Sequence, residues 1–349
     1  MQRSQITPDY SISKVEKGGW QISTGHSLDD GFDPNQAVDD IMTFYEAGIT
    51  TFDFGDIYLG VEETIGQFLA QLRERYGEEA RNNIQLHTKY VPDRNLLPSH
   101  SPEDVRQIID RSRERLGVET LDLVQFHWWD YEVPGYLEAM KELYRLRDEG
   151  LIRFVGITNF DTKRLNEMID AEVKPRFIQL QYSLLDRRPE NEILELCRNE
   201  DIDVLCYGTV AGGYLSDKFL GMENPPPFET RSQVKYRLII EEFGGWDLYQ
   251  ELLHCLRVIA DKNQTDIASV ASAYALREPA VKAVIVGARN TNHLDENISI
   301  PEVNFDSIDL AAIQAILDRS QGPNGPVYDL ERYDPRHRDI MHTNNNASS

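Results

Sequence analysis

Short apolar, β-branched runs recur along the chain at Gly18–Ser23, Thr50–Gly55, Ile84–Tyr90, Leu121–Trp128, Phe154–Asn159, Phe177–Tyr182, Val204–Thr209 and Val281–Gly287. Each has the length and side-chain character of a buried strand. Between them lie runs whose apolar positions follow helical spacing, such as Glu62–Tyr76, Pro102–Leu116, Gly135–Glu149 and Glu190–Asn199. Pro102 after Ser101 reads as a helix start, and Gly150 after Arg147-Asp148-Glu149 as a helix stop. Eight strands alternating with helices predict a parallel sheet. The count of eight predicts closure into a (β/α)8 TIM barrel, an α/β fold in one domain. The alternative is an open doubly wound sheet. Its dinucleotide site is usually marked by a GxGxxG turn after the first strand, and this chain has no such turn.

The expected organisation is a barrel over residues 1–320 and a tail over 321–349 that wraps the barrel or frays. Residues 344–349 are the part most expected to be disordered. The stretch Leu215–Asp247 lacks clear periodicity and contains Pro225-Pro226-Pro227, so it is expected to form a long loop over a site.

The informative polar residues stand where strand patterns end. Asp53 closes the second strand, with Tyr58 five residues later; Lys89 closes the third; His127 closes the fourth. Each alone has a structural explanation: a capping Asp, a surface Lys, a core His, an exposed Tyr. In a parallel barrel, however, the ends of adjacent strands meet at one mouth, where catalytic groups sit. Together the four residues supply what carbonyl reduction needs on the protein side. A phenol is a poor acid, with an ordinary pKa of about 10. A neighbouring ammonium lowers it, and an aspartate holds that ammonium charged and oriented. An imidazole N–H can bond and align the carbonyl oxygen.

Charge narrows the partners. Asp and Glu number 59 against 36 Lys and Arg, a net charge of -23. That argues against nucleic acid and against anionic membranes. The polar start and the lack of an apolar run of membrane length lead to the expectation of a cytoplasmic protein. Cys197, Cys206 and Cys255 form no CxxC pair and are expected to be reduced thiols. An acidic surface also requires a local basic pocket wherever a polyanionic cofactor binds.

These residues resemble the aldo-keto reductase superfamily over about residues 17 to 297. The carriers are Thr51–Tyr58 with Glu62-Glu63-Thr64-Ile65-Gly66, the histidine segment Leu121–Trp128, Gly150–Phe160, and Ile285–Asn290 followed by Glu296-Asn297. The resemblance implies a catalytic tetrad of Asp53, Tyr58, Lys89 and His127. It implies nicotinamide carboxamide contacts from Asn159 and Gln179, with Thr158 in the usual serine position. Tyr207 falls where the family stacks an aromatic ring on the nicotinamide, followed by Gly208. Gly18, Gly19 and Trp20 match the first-strand segment lining the site. Lys218 and Arg231 lie where open-loop members hold pyrophosphate and adenosine, and would form the basic pocket. Gly287, Arg289, His293, Glu296 and Asn297 match the cofactor-binding end. There are departures. Gly208-Thr209-Val210-Ala211 replaces a common Ser-Pro-Leu run. Gly287-Ala288 replaces the Lys-Ser of many members, and His293 stands where many carry Arg. The cofactor implied is NADP(H) by preference, with NAD(H) possible. The substrate implied is a small carbonyl compound or alcohol, with Trp20, Trp128 and Trp129 as candidate pocket walls.

Three rival readings stand beside this one. The chain also resembles the potassium-channel β-subunit branch in its open-loop features, so a redox-sensing or regulatory subunit with slow turnover is an alternative; the presence of His127 and the rest of the tetrad favours catalysis. Tyr214 and Lys218 fit the Tyr-x-x-x-Lys of short-chain dehydrogenases, but without the glycine-rich turn that those enzymes need. A barrel metal hydrolase is disfavoured, because His127 has no ligand-spaced partner in the motifs.

Overall fold

The computed structural model describes residues 1–23, 33–341 and 343. The chain begins with an antiparallel hairpin, β1 (Arg3–Thr7) and β2 (Tyr10–Ser13). Eight parallel strands follow: β3 (Val15–Gly18), β4 (Thr51–Asp53), β5 (Gln85–Tyr90), β6 (Leu121–Phe126), β7 (Ile152–Thr158), β8 (Phe177–Gln181), β9 (Asp203–Tyr207) and β10 (Val281–Gly287). They pair in sequence order, and β10 returns to β3, so the barrel is closed. The expected (β/α)8 barrel is the fold observed.

Strand alternation sorts each strand into two faces. Val124, Phe126, Val155, Ile157, Ile178, Leu180, Val204, Cys206 and Val284 join the large cluster formed with the surrounding helices. Leu123, Phe177, Leu205, Ala283 and Ile285 form a separate cluster inside the barrel. Ile6, Tyr10 and Ile12 of the hairpin belong to that inner cluster. The hairpin therefore plugs the amino-terminal end, which leaves the carboxyl end for chemistry.

The first barrel strand differs from expectation. Gly18–Ser23 is not a strand; the strand is Val15–Gly18, and Trp20–Ile22 forms a 3-10 turn. The cause is Glu16 and Lys17, which are charged yet buried and so hide the apolar pattern. Lys17 satisfies its ammonium on the carbonyls of Gly18 and Ala288, at 2.7 Å each, and burial pulls its pKa down to about 8. Gly19 then approaches the second strand closely, its N–H donating to the Asp53 carbonyl at 2.7 Å. A Cβ there would meet Val61 Cγ1 at 2.8 Å.

The helix signals behave as read. Ser101 and Asp104 form a reciprocal capping box at the start of helix Pro102–Leu116. Gly150, at φ 84°, follows helix Tyr136–Asp148. The region 215–247 is another correction, because it holds helix Arg231–Phe243. Gln233, Tyr236, Ile239, Ile240 and Phe243 make its buried stripe, and Thr230 caps its start by accepting from the Gln233 N–H.

Beyond residue 322, Val327, Tyr328, Glu331, Arg332 and His337 are buried. The segment 344–349, expected to be disordered, lies outside the described residues. Among the described residues, no helix is long and apolar enough to cross a membrane.

Candidate active site

The carboxyl mouth is built from strand ends in register. Gly18 pairs with Asp53, Asp53 with His87, Lys89 with Gln125, and Thr158 with Gln179. Lys89 Nζ lies 2.6 Å from Asp53 Oδ1 and 2.7 Å from the Phe54 carbonyl. The same ammonium stands 5.1 Å from the centroid of the Tyr58 ring. Tyr58 is partly buried and packs on Trp20, ring centroids 5.0 Å apart. The structure thus brings Asp53, Tyr58, Lys89 and Trp20 together.

The electrostatics refine the expected tuning. Burial raises the Tyr58 phenol above its ordinary pKa; Lys89 opposes that rise without cancelling it. The phenol therefore stays protonated through neutral pH, as a proton donor must. Lys89 is itself buried, which pulls its pKa down, but Asp53 and Tyr58 together outweigh burial and hold it above the ordinary value.

Sequence reading missed Gln125. It faces inward two residues before His127, and its Nε2 donates to Asp53 Oδ2 at 2.8 Å. Gln179 Nε2 donates to the same oxygen at 2.6 Å and to Gln125 Oε1 at 2.8 Å. The amide donors of Gln179 are thus spent inside the barrel, and its carbonyl oxygen is the group left to accept from a bound carboxamide. The missed signal was the alternation Leu123, Gln125, His127 on one face.

His127 is buried, and its Nδ1 lies 3.0 Å from the Thr158 carbonyl. A carbonyl only accepts, so Nδ1 carries the proton. Burial, followed by the Arg332 charge, pulls this imidazole down to about 3, against the pull of the Thr158 bond. His127 is therefore neutral, and Nε2 is a bare lone pair with no partner. The expected N–H donor to a carbonyl oxygen is not there; Nε2 can accept from a hydroxyl instead. An unpartnered donor nearby is Trp129 Nε1, whose ring packs edge-on against His127 at 4.5 Å. Trp128 differs from expectation. It is fully buried, and its Nε1 donates to the Val133 carbonyl, so it belongs to the core.

Asn159 adopts a left-handed backbone at φ 59° and accepts from the Tyr207 hydroxyl at 2.9 Å. Strain of this kind collects at functional positions. Gly208, at φ 71°, lies under Tyr236, whose hydroxyl oxygen would stand 2.1 Å from any Cβ there. Lys235, on helix Arg231–Phe243, places its ammonium 5.6 Å from the Tyr207 ring centroid and 5.1 Å from that of Tyr328. The tail contributes Arg332, another residue that sequence reading missed. Its guanidinium donates to the carbonyls of Trp128, Trp129 and Asn159 and to the Tyr131 hydroxyl. It thereby ties the loops after β6 and β7 together.

The remaining predicted residues lie on the rim, on segments following β9 and β10. Lys218 is exposed and bonds Glu229 at 2.5 Å, and Arg231 is exposed at the start of its helix. Gly287 is exposed at the end of β10, where the Gln21 side chain fills the space a Cβ would take. Arg289 and His293 are exposed, and Glu296 and Asn297 are half-buried in helix Leu294–Ser299. Tyr214 and Lys218 do not form a site: Tyr214 is in the core and bonded by Arg237, whereas Lys218 is ion-paired on the surface. Among the described residues, no group of His, Cys, Asp and Glu is placed to hold a metal ion.

A closed parallel barrel with a polar mouth at its carboxyl end is the architecture of a barrel enzyme. The family model described as "Aldo/keto reductase family" matches residues 14–318. The chain belongs to the aldo/keto reductase family of nicotinamide-dependent oxidoreductases. It is 28% identical over 332 residues to the NADH-specific methylglyoxal reductase of Escherichia coli (strain K12), covering 89% of this chain and 97% of that protein. It is 29% identical over 332 residues to "Probable aldo-keto reductase 1" of Glycine max, covering 90% and 89%. Among solved structures, a glycerol dehydrogenase from Gluconobacter oxydans superposes with a TM-score of 0.75 at 24% identity, covering 91% of this chain and 95% of that one. That likeness supports the fold.

Proposed function

We propose that this protein reduces a small aldehyde or ketone to its alcohol, or runs the reverse reaction, with Tyr58 as the acid or base. The observation that carries this reading is the Lys89 ammonium held 2.6 Å from Asp53 and 5.1 Å from the Tyr58 ring centroid at the barrel mouth. The residues present fit a nicotinamide cofactor. Asn159 offers a carboxamide and Gln179 a carboxamide oxygen on adjacent strands, to meet the cofactor's own carboxamide, and Tyr207 offers an aromatic face. Lys218 and Arg231 after β9, with Arg289 after β10, are cations suited to its phosphates. When bound, the nicotinamide supplies or accepts the hydride.

The chain's own residues handle the proton and the oxygen. Tyr58 gives its phenolic proton to the nascent alkoxide, and Lys89 stabilises the phenolate left behind. Asp53, fixed by Gln125 and Gln179, keeps Lys89 charged. Trp129 Nε1 donates to the substrate oxygen. His127 Nε2 accepts from a further hydroxyl of the substrate, so the single proton of the reacting hydroxyl is left to Tyr58.

NADPH is the preferred cofactor, by a moderate margin. Arg289 follows β10, and a guanidinium can bond phosphate oxygens in a bidentate way. Gly287 adds no charge, and His293 replaces a stronger anchor. NADH is the second reading, favoured by the E. coli relative, which is NADH-specific by name. Steady-state assays with a panel of small aldehydes and ketones against both cofactors test the proposal. No turnover with any of them would contradict it.

A further inference from the structure

A second buried polar group lies inside the barrel, beneath the Asp53–Lys89 layer. Glu16 on β3 and His87 on β5 are both wholly removed from water. His87 Nδ1 lies 3.1 Å from Glu16 Oε2, and His87 Nε2 lies 3.1 Å from the Tyr10 hydroxyl of the amino-terminal plug. The carboxylate accepts, so Nδ1 carries a proton. When His87 is neutral, Tyr10 donates to Nε2; when it is cationic, Nε2 donates to Tyr10. The chain of three residues takes up or releases a proton by turning one hydroxyl, with no movement of heavy atoms. Glu16 Oε1 has no partner, so its charge is not fully compensated locally.

Alternation and register place this group below Lys89 and beside Asp53. Glu16 is two residues before Gly18, His87 is two before Lys89, and His87 is the register partner of Asp53. Two residues of strand rise about 6–7 Å, a distance at which one buried charge shifts a neighbour's titration by about two pH units at an effective dielectric of about 20.

We propose that Glu16 and His87, anchored by Tyr10, form a buried charge layer that sets the ionisation of the Asp53–Lys89–Tyr58 group from below. They are positioning residues, and the proposal rests on the reading of Tyr58 as proton donor. Glu16 faces His87, Asp53 and Lys89; His87 faces Glu16, Asp53, Asp122 and Tyr10; Tyr10 faces Asp122, Glu16, Arg153 and Arg3. Burial pulls His87 down, but Glu16, Asp53 and Asp122 outweigh it and leave its pKa above the ordinary value. Below that point the layer is an ion pair of net charge zero. Above it the imidazole is neutral and the layer carries the negative charge of Glu16. That charge supports the Lys89 ammonium and opposes loss of the Tyr58 proton, which extends carbonyl reduction to higher pH.

The test is the pH profile of reduction in Glu16→Gln and Glu16→Asp. Glu16→Gln keeps the shape but removes the charge, so the alkaline limb should move down by about one to two pH units. Glu16→Asp should return it toward wild type. A pair with only a structural role would lower the melting temperature and leave the limb in place; a folded Glu16→Gln with its limb within about 0.2 unit of wild type overturns the proposal. A second measurement needs neither turnover nor that variant. Imidazole NMR titration of full-length protein should show the His87 midpoint about half a unit or more lower in Asp53→Asn, because the coupling acts in both directions. An unchanged midpoint overturns the proposal. If Tyr58→Phe keeps its turnover, the reading of Tyr58 fails, and the NMR result still decides whether the two layers are coupled.

Discussion

The Lys89 ammonium and the Asp53 carboxylate lie 2.6 Å apart with side chains only 5% exposed, so neither charge has water to fall back on. Breaking such a pair from one side costs about 3–5 kcal/mol, because the surviving charge is left buried. Here the cost falls toward the lower end, since Gln125 and Gln179 still bond Asp53.

Lys89→Met should lower stability by about 3 kcal/mol and cut carbonyl reduction by on the order of a hundredfold or more. Adding Asp53→Asn should restore part of the stability and none of the activity. Denaturant midpoints of both single variants and the double variant give the coupling directly. A double variant no more stable than Lys89→Met would mean that the pair does not carry the charge balance assigned to it.

His127 makes a prediction about acid stability. Its folded pKa is about 3, below the unfolded value of about 6.5. The unfolded chain therefore binds the extra proton in that window, and stability is lost as pH falls from about 6.5 toward 3. Between pH 7 and pH 5 this group removes about 2 kcal/mol. His127→Gln should lose correspondingly less over that range, with His87 contributing equally to both proteins. Parallel stability curves from pH 7 to 5 would show that His127 is protonated in the folded state.

Cofactor choice rests on the turn after β10. Arg289→Ala should weaken NADPH binding by about ten- to a hundredfold, in line with a lost charge-assisted bond, and should leave NADH binding nearly unchanged. Fluorescence titration of both cofactors measures this without turnover. Equal losses would place Arg289 on the adenosine common to both and remove the basis for an NADPH preference.

Much of this architecture is legible in the sequence, and the gaps have physical causes. Asp53, Lys89 and His127 stand out because each is polar at the end of an apolar strand. Glu16 and Lys17 obscured the first strand because buried charges look like surface when their partners are unknown; the partners, His87 and the Ala288 carbonyl, are distant in sequence. Gln125 was readable in principle from alternation. Arg332 was not, since its four acceptors come from segments about 170 to 204 residues away, and no local pattern encodes them. The role of His127 turned on one hydrogen bond to Thr158, which fixes the tautomer and is invisible without coordinates.

The most direct test of the whole account is Tyr58→Phe, assayed for carbonyl reduction in single turnover alongside a cofactor titration. The ring remains to pack on Trp20 and only the hydroxyl is lost, so cofactor affinity should stay near wild type. General acid catalysis contributes typically about a hundred- to ten-thousandfold, and the chemical step should slow by that much. A variant that keeps more than about a tenth of the wild-type rate would contradict the assignment of Tyr58 as the proton donor.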